Sequence, residues 1–129
     1  SCPEGYTKFR ETCFKAFQTK VNFGDAVNTC AKDGGTLAMP RDPETSAFLS
    51  QFTVTSTSYW IGLHDQRKEG KFEWVDGSAL GEYDFWMPEE PDDSGGNEDC
   101  VRHYPWVGMW KDRPCYDKRR FFCQVTPGT

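Results

Sequence analysis

The sequence predicts one α+β domain, with two helices in its first half and short strands in its second half. A helix is predicted where apolar residues recur at i, i+3, i+4 and i+7, at Phe23, Ala26, Val27 and Cys30. Strands are predicted after residue 53, where runs become rich in aromatic and β-branched residues. Six cysteines, an even number, add a disulfide framework. Because 129 residues are enough for one hydrophobic core, we expect a single domain over residues 1–129.

Local signals place each element. The first helix ends at Gly34-Gly35, since glycine favours the conformation that terminates a helix. The second begins at Pro43, with Asp42 as its N-cap, and continues to Phe52. Strands are predicted at residues 59–63, 72–75, 101–104 and 121–125. Residues 78–96 show little regular periodicity, and a loop of this length is usually functional or organised by a ligand.

The acidic residues are concentrated in one segment. Residues 72–101 contain ten Asp or Glu and no Lys or Arg, so the remaining chain carries +5 against a total net charge of −5. Six of these carboxylates fall within residues 89–100. Oxygen-rich clusters on short loops are the ligands that calcium needs, whereas a solvated acidic loop is the alternative. The segment therefore predicts a cation site.

Composition excludes several classes of function. The chain has no long apolar run and no basic stripe, so we expect neither membrane insertion nor nucleic-acid binding. None of the cysteines forms a C-x-x-C pair, which disfavours a zinc ribbon or a redox site. An even set of cysteines predicts a secreted protein in an oxidising environment. Six cysteines allow fifteen connectivities, although the spacing suits a terminal hairpin at Cys2 and Cys13 and a compact loop at Cys100 and Cys115.

Taken together, these features resemble the C-type lectin-like domain in its long form, over essentially the whole chain. The resemblance rests on the six cysteines in order, the helix ending at Cys30, the run Trp60-Ile61-Gly62-Leu63, and Trp110-x-Asp112 before Cys115. It implies two helices, two small antiparallel sheets and a long metal-binding loop region. It also implies three disulfides, Cys2–Cys13, Cys30–Cys123 and Cys100–Cys115.

The resemblance implies two metal positions, of which the first is an auxiliary calcium site. Its ligands would be Asp65, Glu69, Asp93 and Asp99, with Glu98 contributing its backbone carbonyl. Oxygens from separate segments would then converge on one divalent cation and clamp the loop. The alternative is that Asp65 and Glu69 only belong to a polar turn.

The second position is the primary, sugar-binding site, and here the chain departs from the family pattern. Its residues would be Glu90, Asp92, Glu98, Lys111 and Asp112. The triplet Glu90-Pro91-Asp92 is a hybrid of the family's mannose-type Glu-Pro-Asn and galactose-type Gln-Pro-Asp, and Lys111 replaces the Asn of its Trp-Asn-Asp triplet. The resemblance also implies a cis bond before Pro91.

Lys111 leaves two arrangements open, because a protonated lysine cannot coordinate a cation. It could turn to solvent while four carboxylates bind calcium, or zinc as a smaller ion with fewer ligands. It could instead fold inward and neutralise the carboxylates. Two histidines, His64 and His103, could add nitrogen ligands, although lone histidines are more often structural. Five aromatic residues are candidates for stacking on a sugar, with core packing the alternative for the second and third: Tyr83, Phe85, Trp86, Tyr104 and Trp106.

These observations favour a secreted, metal-dependent carbohydrate-binding lectin that recognises microbial surface glycans in innate immunity. Such single sites are weak, so an oligomer is expected. The main alternative is a protein-interaction module on the same fold whose primary sugar site is lost. A glycosidase using Glu90 with Glu98 or Asp99 is disfavoured, because these acids are better explained as metal ligands. We therefore expect no enzyme activity and no catalytic residues.

Overall fold

The computed structural model describes residues 1–53, 57–82, 84–91 and 98–127. Two helices lie within these ranges, α1 (Phe23–Lys32) and α2 (Pro43–Ser50). The strands are β1 (Thr7–Phe9), β2 (Thr12–Val21), β3 (Thr36–Leu37), β4 (Tyr59–His64), β5 (Glu73–Trp74), β6 (Cys100–Tyr104), β7 (Met109–Arg113) and β8 (Arg119–Val125). Neither helix has the length and apolar character that crossing a bilayer requires.

The two predicted helices are confirmed. Asp42 caps α2 by accepting a hydrogen bond from the Thr45 N–H at 2.8 Å, with Pro43 at the first helical position. The helix ends at Ser50, two residues earlier than predicted. Its last turn tightens because the Phe52 N–H donates to the Leu49 carbonyl, three residues back. Phe52 still packs on the core side, with its ring 4.9 Å from that of Phe48.

Strand pairing joins all eight described strands. The order is β1-β2-β8-β4-β6-β7, with β3 on β8 and β5 on β4. The resemblance implies two small antiparallel sheets, but here β4 pairs with β8 in parallel and connects them. The other pairings are antiparallel, and β1, β2, β3 and β7 were not predicted as strands.

Disulfides and buried aromatic residues hold the sheet to the helices. The three disulfides are Cys2–Cys13, Cys30–Cys123 and Cys100–Cys115, as the resemblance implies. Trp60, Trp74 and Trp110 are almost completely buried in the core. Gly62 lies where neighbouring residues approach the backbone of β4 closely. A Cβ at this position would meet Val75 Cγ2 at 2.8 Å and the Leu37 carbonyl oxygen at 3.0 Å. That close approach explains the glycine inside the Trp-Ile-Gly-Leu run.

Candidate metal and ligand site

Two strands bring the first pair of carboxylates together. His64 at the end of β4 lies opposite Cys100 at the start of β6, so Asp65 and Asp99 follow and precede these strands side by side. The Asp65 N–H donates to the Asp99 carbonyl at 2.9 Å. Asp65 is only 2% exposed, and Asp99 is half-buried. Strand register therefore fixes both residues at the same end of the neighbouring strands β4 and β6.

The turn after β4 adds a third carboxylate. The Gly70 N–H donates to Asp65 Oδ2 at 2.8 Å, which folds residues 66–70 back over Asp65. Oxygens of Asp65, Glu69 and Asp99 then lie within 4.8 Å of one another. We call these three residues the carboxylate cluster. They are three of the five residues expected at the auxiliary site.

Two more residues are expected at the auxiliary site, Glu98 and Asp93. Glu98, next to Asp99 in the chain, is buried with 8% exposure. Asp93 lies outside the described residues.

Electrostatics show that the carboxylate cluster fits a cation. Within the described parts of the chain, Asp65 Oδ1 and Asp99 Oδ1 are buried and accept no hydrogen bond. Burial raises the pKa of Asp65 to about 6, and Asp99 adds to the increase, although the Gly70 N–H opposes it. The polar turn uses only the second oxygen of Asp65. Buried oxygens without donors and a carboxyl that resists ionisation are both relieved by a divalent cation.

The loop that carries Glu90 is fastened to β7. The Trp110 N–H donates to the Phe85 carbonyl at 2.7 Å, and the Met87 N–H donates to the Trp110 carbonyl at 2.9 Å. The Glu90 N–H then donates to the Met87 carbonyl at 2.9 Å. The Glu90–Pro91 bond is cis, as the resemblance implies. These contacts place Glu90 beside the strand that carries Lys111 and Asp112.

Two cations reach the carboxylates expected at the primary site. Lys111 Nζ lies 3.9 Å from Glu90 Oε2, which corresponds to the inward arrangement of Lys111. Arg113 Nη1 lies 3.7 Å from Glu98 Oε2. Arg113 was not singled out from the sequence, although it lies two residues after Lys111 on the same face of β7.

Two more carboxylates are expected at the primary site, those of Asp92 and Asp112. Asp112 is fully buried on β7, opposite Val101 of β6. Asp92 lies outside the described residues. The structure thus brings Glu90, Glu98 and Lys111 to the same region, with basic side chains already in contact with the two glutamates.

The aromatic candidates divide into core and surface. The rings of Phe85 and Trp86 meet Trp110 edge-on at 5.4 and 5.6 Å, which confirms the core alternative for both. Trp106 is 55% exposed, and its ring lies 5.3 Å from that of half-buried Tyr104. Tyr83 lies outside the described residues.

Both histidines have structural partners. His103 is fully buried, its Nε2 lies 3.1 Å from Ser50 Oγ, and burial lowers its pKa to about 4. His64 Nδ1 accepts from the Gln66 N–H at 3.2 Å, and burial lowers its pKa as well. The structural interpretation of the two histidines is therefore favoured over metal ligation.

The three disulfides, the two helices and the mixed sheet together define an α+β domain of the C-type lectin class. The family model described as Lectin C-type domain matches residues 19–125, and the chain belongs to this family. Members of the family are binding modules rather than enzymes, in agreement with the expectation of no enzyme activity.

Relatives and solved structures support this assignment. Collectin-10 of Gallus gallus is 37% identical over 122 residues, which are 93% of this chain but 44% of that protein. The chain therefore spans less than half the length of this curated relative. The carbohydrate-recognition domain of mouse scavenger receptor C-type lectin superposes with a TM-score of 0.93 at 29% identity, covering 99% of this chain and 100% of the other.

A second solved structure was obtained with a sugar. The carbohydrate-recognition domain of cow CD23, crystallised in the presence of GlcNAc2Man3 oligosaccharide, superposes with a TM-score of 0.91 at 30% identity. The match covers 100% of this chain and 98% of that domain. The described residues of the chain therefore adopt the fold of these domains.

Proposed function

We propose that this chain is a calcium-dependent carbohydrate-binding domain of a secreted lectin. The observation that carries the proposal is the carboxylate cluster, in which the buried Oδ1 atoms of Asp65 and Asp99 lack hydrogen-bond donors among the described residues. Kinship with a collectin and with a domain crystallised in the presence of an oligosaccharide supports glycans as the ligand class. Microbial surface polysaccharides are the proposed glycans, and an oligomer would supply the avidity that one weak site lacks.

The role of the carboxylate cluster is to hold the loop region in place. Several carboxylates can coordinate one bound calcium ion at once, and its positive charge would offset their repulsion. Asp65 and Asp99 are fixed by strand register, and Glu69 by the turn that Gly70 closes. Glu98 follows the acidic loop directly and precedes Asp99, so holding Asp99 also restricts Glu98. Asp93 would complete this ligand set.

At the primary site the proposed ligands are Glu90, Asp92, Glu98 and Asp112, with Lys111 as a donor. Carboxylates only accept hydrogen bonds, whereas the lysine ammonium donates three. Sugar hydroxyls do both, so Lys111 replaces the donors that an asparagine amide would offer. Lys111 must give up its 3.9 Å contact with Glu90, so that Glu90 can bind the ion while Lys111 donates to the sugar. Zinc, which needs fewer ligands, is the alternative ion at this position.

A second candidate is a protein-interaction module whose primary sugar site is lost. It is favoured by the two ion pairs, Lys111 with Glu90 and Arg113 with Glu98. These pairs neutralise the carboxylates without a metal. In this case the auxiliary calcium still stabilises the loop, but no sugar binds.

Calorimetric titration of calcium, and then zinc, into metal-free protein separates the candidates. We expect wild type to bind calcium and an uncharged oligosaccharide, with sugar binding lost in EDTA. Lys111→Asn removes the inward cation, and Lys8→Asn is the control, because it removes one exposed lysine on β1. If wild type binds calcium but no sugar, while Lys111→Asn gains a second ion and binds sugar, the second candidate is correct. If wild type binds no calcium, the proposal fails.

A further inference from the structure

A cavity of about 470 Å³ opens beside the β6–β7 hairpin, and no residue of the carboxylate cluster lines it. Among the described residues that line it, four are cationic and none is acidic. The cations are Lys20, Arg102, Arg113 and Arg119, and Tyr104 and Trp106 form an aromatic wall. We call this cavity the basic groove. It concentrates positive charge on a chain whose net charge is −5.

Strand pairing gathers these cations from distant parts of the chain. Within the β6–β7 hairpin, Arg102 lies opposite Lys111 and Cys100 lies opposite Arg113, so Arg102, Lys111 and Arg113 share one face. Like charges directly opposite each other destabilise a strand pair. On the other side, Val21 of β2 pairs with Arg119 of β8, which brings Lys20 close to Arg119. The fold thus brings cations from β2, β6, β7 and β8 to one region.

Arg102 is the fixed floor of the basic groove. It is 3% exposed, and its guanidinium carbon lies 5.5 Å from the ring centroid of Trp60. Nη1 donates to Ser58 Oγ at 3.1 Å, and Nη2 reaches Asp117 Oδ2 at 3.5 Å. Its Nε is buried and has no acceptor among the described residues. A guanidinium has five donors, so this one remains incompletely satisfied.

The arginines near Arg102 add to the local excess of positive charge. Burial, helped by Arg119 and Arg113, lowers the pKa of Arg102 to about 10, although Tyr104 and Asp117 oppose this shift. The only carboxylate in ion-pair contact with Arg102, within the described ranges, is that of Asp117. An anion in the basic groove would reduce the repulsion among these cations.

The aromatic wall points to a sugar. Trp106 is 55% exposed although it is a large apolar side chain. Its ring meets Tyr104 edge-on at 5.3 Å, so it is held at the rim of the basic groove. Tryptophan offers a flat apolar face together with a polar N–H, which suits surfaces that are partly wet. Cations beside an exposed aromatic ring fit a charged sugar better than a free ion.

We propose that the basic groove binds the sulfate or phosphate groups of an acidic polysaccharide. Arg113, Arg119 and Lys20 contact the anion, Arg102 positions the charge beneath it, and Trp106 packs against a sugar ring. Donors from several strands can surround the free oxygens of a tetrahedral sulfate or phosphate group, whereas a carboxylate offers two oxygens in one plane. No residue of the carboxylate cluster lines the basic groove, so we expect this binding without calcium, although Arg113 also pairs with Glu98.

The test is calorimetric titration of a heparin hexasaccharide into the protein in EDTA. The double variant Lys20→Gln/Arg119→Gln removes two groove cations and leaves buried Arg102 and the Arg113–Glu98 pair in place. The control, Lys8→Gln/Lys32→Gln, removes two exposed lysines on β1 and α1, so the net charge falls equally. We expect the groove double variant to bind about tenfold or more weakly, since it loses two charge-assisted contacts. The control should change affinity by less than about twofold, because separated surface charges are screened.

Further probes identify the anion. Desulfated heparin and hyaluronan, which carry carboxylates but no sulfate, should bind at least about tenfold more weakly than heparin. A glycerol-phosphate polymer that binds through the same residues supports the proposal and names phosphate as the group. Equal losses in both double variants, binding that requires calcium, or no binding of either sulfated or phosphorylated polymer would overturn it. Tighter binding of a single-stranded oligonucleotide than of heparin would overturn the assignment to a polysaccharide.

Discussion

Replacing Asp65 by Asn should change stability in opposite directions with and without calcium. Asp65 Oδ2 accepts from the Gly70 N–H at 2.8 Å, while Oδ1 is buried and accepts no hydrogen bond within the described structure. Asparagine keeps a side-chain acceptor for Gly70 and removes the charge. Without a metal the variant no longer buries a charge beside Asp99, whereas with calcium it loses a ligand.

The magnitude follows from the pKa of Asp65, which burial raises from 3.8 to about 6. A difference of about two units corresponds to about 3 kcal/mol. Because Glu69 beside it is exposed, water screens part of the electrostatic cost of ionised Asp65, and a cost of roughly 1–2 kcal/mol remains. A raised carboxyl pKa means that the folded protein binds the proton more tightly than the unfolded chain. The stability that protonation of Asp65 contributes is therefore fully present below about pH 4 and is lost as the pH rises through about 6.

At neutral pH in EDTA, Asp65→Asn should therefore unfold at a midpoint several degrees above wild type, at roughly 4 °C per kcal/mol. Calcium at about 100 times its dissociation constant should stabilise wild type by about 2.7 kcal/mol and the variant far less. The difference between the two proteins isolates Asp65, because other groups titrate equally in both.

Differential scanning calorimetry with intact disulfides measures these shifts. Asp84→Asn is the matched control, because it removes an exposed carboxylate outside the carboxylate cluster and should move neither midpoint. The reasoning is refuted if Asp65→Asn is less stable than wild type in EDTA at neutral pH. It is also refuted if calcium stabilises both proteins equally.

Three further predictions concern the core and the primary site. Gly62→Ala should cost about 1–3 kcal/mol in urea denaturation, because its Cβ would lie 2.8 Å from Val75 Cγ2; an unchanged midpoint would contradict this close approach. In NMR titration, His103 should stay neutral down to about pH 5, because burial lowers its pKa to about 4; titration near 6.5 would show an accessible ring. Glu90→Gln should abolish binding of uncharged sugars while calcium at the carboxylate cluster still stabilises the protein; retained sugar binding would exclude Glu90 as a ligand.

Local signals were sufficient for both helices. Asp42 and Pro43 mark the start of α2, and the apolar spacing of α1 places Phe23, Ala26 and Cys30 in the core. The ten-residue strand β2 was missed, because its sequence lacks a regular apolar alternation and its second half is exposed. This strand depends on pairing with β8, about a hundred residues away, which no local pattern reveals.

The candidate site was predictable only in part for a related reason. The acidic composition and the family resemblance pointed to Asp65, Glu69 and Asp99, and the structure brings them within 4.8 Å. The contact of Arg113 with Glu98 depends on the residue alternation along β7, which was not predicted as a strand. The basic groove likewise depends on two separate strand pairings that the sequence does not display.

Binding of uncharged glycans in calcium and in EDTA tests the central claim most directly. A glycan array probed with wild type and with Asp65→Asn separates metal-dependent recognition from electrostatic attraction, since uncharged sugars do not engage the basic groove. We predict that wild type binds uncharged glycans in calcium and that EDTA and Asp65→Asn each remove this binding. Uncharged glycans that bind equally well in EDTA, or no glycan binding by the calcium-loaded protein, would contradict a calcium-dependent lectin.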